Sequence, residues 1–153
     1  MTALRLISPV PGLIRALAEV PDPVFAEQMV GPGLAVEPVD ETVQRVLAPC
    51  EGTLAVVHPH AVALDAADGR SVLVHLGIDT VTLAGQGFAV NVRAGDTVRA
   101  GDLLLTWSPH DVAVRGLSTL CAVVAVQADP AEVEPLAAPG STVRAGDPML
   151  DWR

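Results

Sequence analysis

Three of the four histidines of this 153-residue chain lie in one short stretch, "VVHPHAVALDAADGRSVLVHLGIDT", from Val56 to Thr80. They are His58, His60 and His75, and the residues around them are almost wholly aliphatic. A neutral imidazole offers one lone pair and one N–H, and its proton changes hands near neutral pH. Two such rings in contact are a poor choice for packing alone, because they resist joint protonation and each N–H needs an acceptor. Facing imidazoles in an apolar frame therefore point to chemistry, and two kinds fit. Neutral imidazoles are good zinc ligands. Alternatively, one ring attacks phosphorus while the other donates a hydrogen bond to the phosphoryl oxygens, a reaction that rests on positioning and charge stabilisation. An apolar collar would then keep water from the phosphohistidine. The chain has no Lys and no Gly-x-x-x-x-Gly-Lys loop, so the phosphoryl group is expected from another phosphoprotein and not from a nucleotide.

Two strands must bring the rings together. "DAADGR" (Asp65 to Arg70) is the only turn signal between "HAVAL" and "SVLVHLGI". A four-residue "AADG" loop pairs Asp65 with Arg70 and sets His60 directly opposite His75, whereas a two-residue Asp68-Gly69 turn makes them diagonal neighbours. Any even loop keeps both on one face, since side chains alternate with period two. His58, two residues from His60, is expected on the same face. Its ring is then placed to orient His60 by a hydrogen bond, and the three imidazoles together to hold an adventitious zinc ion centred on His60 and His75. His110 reads as a surface residue.

The rest of the chain is a series of short β-branched runs between turns, with no long helical periodicity. It predicts an all-β antiparallel sandwich or barrel with short single-turn helices, two of them signalled by Ser108-Pro109 and Asp129-Pro130. "TVRAGDLLLTW" from Thr97 and "TVRAGDPMLDW" from Thr142 echo each other, and a further "VRAGD" starts at Val92, which suggests duplicated hairpin units.

Length fits a single domain spanning residues 1–153. The formal net charge is −9 with dispersed arginines, which argues against nucleic acid and favours a basic protein partner. No apolar run is long enough to cross a bilayer, and Pro9, Pro11 and Gly12 break the best N-terminal candidate for a signal peptide. A cytoplasmic protein with Cys50 and Cys121 reduced and packed in the core is expected.

"VHLGIDTVTLAGQGF" (Val74 to Phe88) resembles the active-site signature of the glucose-type IIA domains of the phosphoenolpyruvate-dependent sugar phosphotransferase system. "VPDPVFAEQMVGPGLAVEP" (Val20 to Pro38), "APCEGTL" (Ala48 to Leu54), "HPHAVAL" (His58 to Leu64) and "GDTVRAGDLLL" (Gly95 to Leu105) follow that family's order and cover most of the chain. The resemblance implies an antiparallel β-sandwich that relays phosphate. The phosphocarrier HPr donates to the histidine of "VHLGIDT", His75, with His60 as its partner. The acceptor is a cysteine of a IIB domain, and a membrane-embedded IIC domain couples the relay to sugar import, so contact with the membrane is only through that permease. It further implies partner contacts by Asp22, Val24 and Phe25, by Leu76 (where a phenylalanine often stands) and by Asp79. No cofactor is required. His58 departs from members that place a threonine there. The chain ends at Arg153 without a second domain and reads as a free-standing IIA or an excised one.

Three rival readings of the sequence differ in what they require. A lysostaphin-type zinc hydrolase also uses a His-x-His motif but needs a histidine ahead of it, and none precedes His58. A lipoyl or biotinyl carrier needs a lysine. A regulatory binding protein using the same face is compatible with transfer.

Overall fold

A computed structural model describes residues 2–153. Among these residues the strands are β1 (Leu4–Ile7), β2 (Gly12–Ala16), β3 (Gly33–Pro38), β4 (Gln44–Leu47), β5 (Gly52–His58), β6 (Ala61–Asp65) and β7 (Ser71–His75). They continue as β8 (Phe88–Val90), β9 (Thr97–Val98), β10 (Leu103–Trp107), β11 (Cys121–Ala125), β12 (Val133–Pro135), β13 (Thr142–Val143) and β14 (Pro148–Trp152). Two short helices, α1 (Pro23–Ala26) and α2 (Pro109–Val114), and three single 3₁₀ turns complete the order. The expected all-β antiparallel architecture with short helices is what forms. Ser108 and Asp129 cap their helical turns, each followed by a proline, and Asp22-Pro23 does the same for α1.

One eight-stranded antiparallel sheet, ordered β13-β2-β3-β11-β7-β6-β5-β9, forms one layer. Two three-stranded sheets, β1-β14-β12 and β4-β10-β8, cover its inner face. Leu6, Leu104, Trp107, Leu150 and Trp152 from the small sheets meet Val36, Val62, Val72, Val74 and Val123 of the large one in the main core. The outer face carries a second, smaller cluster of Leu17, Val20, Phe25, Ala35, Ile78, Ala122 and Val124. Strand β11 is buried at all five positions because both of its faces are covered, which explains the unbroken apolar run "CAVVA". Cys121 and Cys50 are free thiols packed in the main core, and burial pushes both up to about 12.

The repeated "RAGD" segments are not hairpins, which corrects that expectation. Strands β9 and β13 sit at opposite edges of the large sheet, while β10 and β14 are the middle strands of the two small ones. Each turn after β9 or β13 is therefore a corner that carries the chain from one layer to the other. At all three copies the aspartate carboxylate accepts the backbone N–H of the arginine three residues earlier, at 2.8–2.9 Å, and the intervening glycine has φ of 90–95°. A left-handed third position is what a type II turn requires, and glycine supplies it without a Cβ clash.

The duplication runs deeper than the repeat. Ile7 N–H donates to Pro49 O and Leu47 N–H to Pro9 O, both at 2.9 Å, while Ser8 N–H reaches Asp147 O as Ala48 N–H reaches Asp102 O, both at 2.8 Å. Strands β1–β3 thus mirror β4–β6 about an axis between the paired Val74 and Val123 at the sheet's centre. The halves differ most where they connect their second and third strands. A long strap, residues 17–32 with α1, joins β2 to β3 over the outer face, whereas Pro59 and His60 alone turn β5 into β6.

Candidate functional site

Strand β7 alternates Val72 and Val74 into the main core with Leu73 and His75 onto the outer face. A row of directly paired residues crosses that face: Arg15, Ala35, Ala122, His75 and Ala61. The three alanines leave a hollow around the imidazole. The strap fills one side of it with Phe25, whose ring centroid lies 5.0 Å from that of His75 at 55°.

His60 reaches His75 by a route other than the expected one. The register across β6 and β7 pairs Ala61 with His75 and Asp65 with Ser71, one residue away from the expected pairing. Ala66 N–H donates to Arg70 O and Gly69, at φ 90°, closes a three-residue loop, so the loop is odd and not even. His60 is not opposite His75 in a strand. It sits in the two-residue turn between His58 and Ala61, free of strand alternation, after a bulge between Leu54 and Val56 has shifted the β5–β6 register. Its carbonyl accepts the Leu76 N–H at 2.8 Å, which ties the turn to the end of β7. The two rings meet edge to face, 5.3 Å apart at 74°.

Strand β7 ends in a left-handed turn. Gly77 has φ 69°, and a Cβ there would lie 2.7 Å from Thr80 Cγ2 and 2.9 Å from Ser118 O, so any side chain would strain the backbone and force these neighbours to shift. This turn swings the Gly77 carbonyl to 2.7 Å from His75 Nδ1. A carbonyl only accepts, so Nδ1 carries the proton and donates, and the lone pair of the neutral ring stands on Nε2. The buried Thr80 hydroxyl donates to Leu76 O at 2.6 Å and braces the same turn. Gly77 and Thr80 were not singled out by sequence reasoning; the signal for them is the glycine two residues after the histidine.

Burial lowers the pKa of His75, against the Gly77 bond and the charges of Asp22 and Asp79, which raise it. Burial also lowers His60, and the neighbouring His75 and His58 lower it further. Both rings are held below the ordinary value of 6.5 and are neutral at pH 7. A neutral, oriented, partly shielded imidazole is a nucleophile, and a second ring at its edge is a donor.

The other expected site residues separate. His58 is exposed and stacks on His60 at 5.7 Å and 13°. Parallel rings do not aim an N–H at each other, so the expected orienting hydrogen bond is not formed, and His60 shares its ring with no protein hydrogen-bond partner among the described residues. Nor does the trio make a metal cage. Among the described residues no three His, Cys, Asp or Glu side chains gather where they could hold an ion. Leu76 is 1 % exposed and belongs to the main core, because it follows His75 on the opposite face; it is not a surface contact. Phe25 is 6 % exposed and points inward, so it too is withdrawn from the surface. Asp22 is half-buried and accepts the Val24 N–H at 2.9 Å as the cap of α1, while Asp79 is exposed in a left-handed conformation. Val24 is exposed, and so is Val81, which sequence reasoning did not name. His110 is exposed and pairs with Asp40 at 3.0 Å.

Residues 4–131 match the family described as phosphoenolpyruvate-dependent sugar phosphotransferase system, EIIA 1. The chain is 34 % identical over 128 residues to the PTS system glucose-specific EIIA component of Oceanobacillus iheyensis, covering 82 % of this chain and 76 % of that one. It is 41 % identical over 128 residues to the PTS system glucose-specific EIIBCA component of Corynebacterium glutamicum, where the match takes up 82 % of this chain but 18 % of that much longer protein. Among solved structures, the glucose permease IIA from Mycoplasma capricolum shares the fold with a TM-score of 0.87 and 31 % identity, over 99 % of this chain and 96 % of that one.

Proposed function

The chain belongs to the EIIA 1 family of the phosphoenolpyruvate-dependent sugar phosphotransferase system, and on that premise we propose that His75 accepts a phosphoryl group on Nε2 from phospho-HPr and passes it to the cysteine of a IIB domain. Membership itself carries the coarser statement, a phosphotransfer role in sugar uptake. The observation that supports the finer one is the Nδ1–H to Gly77 carbonyl bond, which leaves Nε2 as the only lone pair of the ring.

In the forward step Nε2 attacks phosphorus in line, a P–N bond forms, and the donor's P–N bond breaks with its electron pair returning to the donor imidazole. Charge spreads over the three equatorial oxygens, and the edge of His60, 5.3 Å away between ring centres, is placed to donate an N–H to one of them. In the onward step the IIB thiolate attacks, the P–N pair returns to Nε2, and a P–S bond forms. No metal has a part in either step. The exposed Val24, with Asp22 and Asp79 beside His75, forms the contact surface for both partners, the carboxylates facing arginines. The EIIBCA name of the Corynebacterium relative supports the IIB partnership. A cytoplasmic location agrees with this role; among the described residues no helix is long and apolar enough to cross a membrane.

The test is incubation with phosphoenolpyruvate, enzyme I and HPr, followed by intact mass measurement with and without a chelator. The expected result is a gain of one acid-labile phosphoryl group in both. No gain, or a gain abolished by the chelator, would reject this reading.

A further inference from the structure

We infer that His58 is a positioning residue for transfer: the flat face of its ring, and not a ring nitrogen, holds the His60 imidazole edge-on to His75. This rests on the reading of His75 as the phosphoryl acceptor.

The turn fixes the backbone of His60 but not its ring. His58 ends β5 and pairs with Ala61, so Pro59 and His60 alone make the connection. The ring of Pro59 restricts its own backbone, and its Cγ stands 3.5 Å from where a Cβ on Gly85 would lie, which sets the turn against the loop that follows the 3₁₀ turn Thr80–Leu83. The His60 carbonyl accepts the Leu76 N–H at 2.8 Å. The His60 side chain has no such tie. It is half-buried, and the histidine ring nitrogens that form hydrogen bonds among the described residues belong to His75 and His110.

Two rings are left to select its rotamer. His75, itself held by the bond from Nδ1 to Gly77, meets it edge to face at 5.3 Å and 74°. His58 lies parallel to it at 5.7 Å and 13°. Parallel rings aim no N–H at one another, so the support that His58 gives is contact between faces, at a spacing where offset aromatic rings attract. A change of χ1 at His60 breaks that stack and carries its N–H away from the phosphoryl site. Misplacing a donor of this kind slows the reaction without removing any group from it. His58 is exposed at the end of its strand, so its substitution leaves the core untouched.

The experiment compares wild type, His58→Ala, His58→Phe, His60→Gln and His58→Ala/His60→Gln in single-turnover transfer from the phosphorylated protein to IIB. The Hα–Hβ couplings of His60 are read separately in unphosphorylated wild type and in the two single His58 variants. His58→Ala is expected to slow transfer about threefold to tenfold, the span that one ring pair carries, and to average the His60 couplings over χ1 rotamers. His58→Phe keeps a flat face without a nitrogen and is expected to restore both the rate and the single rotamer. In the His60→Gln background, His58→Ala is expected to change nothing further. Wild-type rate and couplings in His58→Ala would overturn the inference. So would a His58→Phe variant as slow as His58→Ala, which would make a nitrogen of His58 the working group. An undiminished further slowing in the His60→Gln background would make His58 a partner contact and overturn it too. A wild-type protein that takes no label would instead bring down the reading of His75, and the His60 couplings would still decide whether His58 holds the ring.

Discussion

At His75 the direction of one hydrogen bond decides which nitrogen keeps a lone pair. Nδ1 is committed to the Gly77 carbonyl, so in the proposed transfer Nε2 is the nucleophile and His60 its neighbour. His75→Gln is expected to abolish labelling. His60→Gln should still be labelled but pass the group on more slowly by a factor on the order of 10²–10³, the usual cost of losing one charge-stabilising donor. Equal onward rates for His60→Gln and wild type would show that His60 has no part in transfer. The lowered pKa values add a second expectation. His75 and His60 protonate in the unfolded chain near 6.5 but only at lower pH when folded. Between those values the unfolded state binds more protons, so stability is complete above about 6.5 and declines as pH falls through that window to the folded values. Denaturant unfolding at pH 7.5 and 5.5 checks this: wild type should lose more stability than a His75→Gln/His60→Gln double variant. An identical loss in both would mean the rings are not held neutral.

At the scale of elements, the two ends of β7 are each closed by a left-handed glycine, and the two should behave differently. Gly69 has nothing within 4 Å of a built Cβ, so Gly69→Ala carries only the backbone cost, roughly 1–2 kcal/mol, with transfer intact. At Gly77 the strain is joined by a clash and by displacement of the carbonyl that orients His75, so Gly77→Ala should cost about 1–3 kcal/mol in stability and slow phosphorylation as well. Unfolding curves and initial labelling rates of the pair separate the two effects; normal labelling in Gly77→Ala would remove the carbonyl from the account. The same hairpin marks how far the sequence could be read. "DAADGR" announces a turn, and an apolar "SVLVH" announces a strand with alternating faces, so the pair of histidines was legible. The loop length was not, because a left-handed Gly69 and the bulge in β5 each move the register by one without leaving a signal in hydrophobic pattern. The rings meet all the same, because His60 lies in a turn where alternation has no force. Leu76 was misplaced for the converse reason: it continues the alternation of β7 faithfully and is therefore inside.

On the scale of the whole molecule, a duplicated sandwich supplies a rigid, nearly two-fold frame, and function enters where the halves differ. The strap over β2–β3 brings Asp22, Val24 and Phe25 to a histidine that belongs to the other half, and the short turn of that half brings His60. The repeated "VRAGD" segments disclosed the duplication, while the strap's inward face depends on the alanine row beneath it, which no local pattern reveals. In the proposed relay a net charge of −9, with Asp22 and Asp79 beside His75, favours encounter with basic partners. An Asp22→Asn/Asp79→Asn variant should associate more slowly with HPr at low salt and show a flatter salt dependence, with a smaller effect on dissociation. Stopped-flow association across ionic strengths checks this, and rates equal to wild type at low salt would contradict it.

In the proposed relay one atom, Nε2 of His75, carries the phosphoryl group, and long-range ¹H–¹⁵N correlation spectra of the phosphorylated protein address that atom directly. A phosphorus-coupled Nε2 on His75 is expected, with a protonated Nδ1 on the same ring and unmodified rings at His58, His60 and His110. A phosphoryl group on Nδ1 of His75, or on any other histidine, would contradict it.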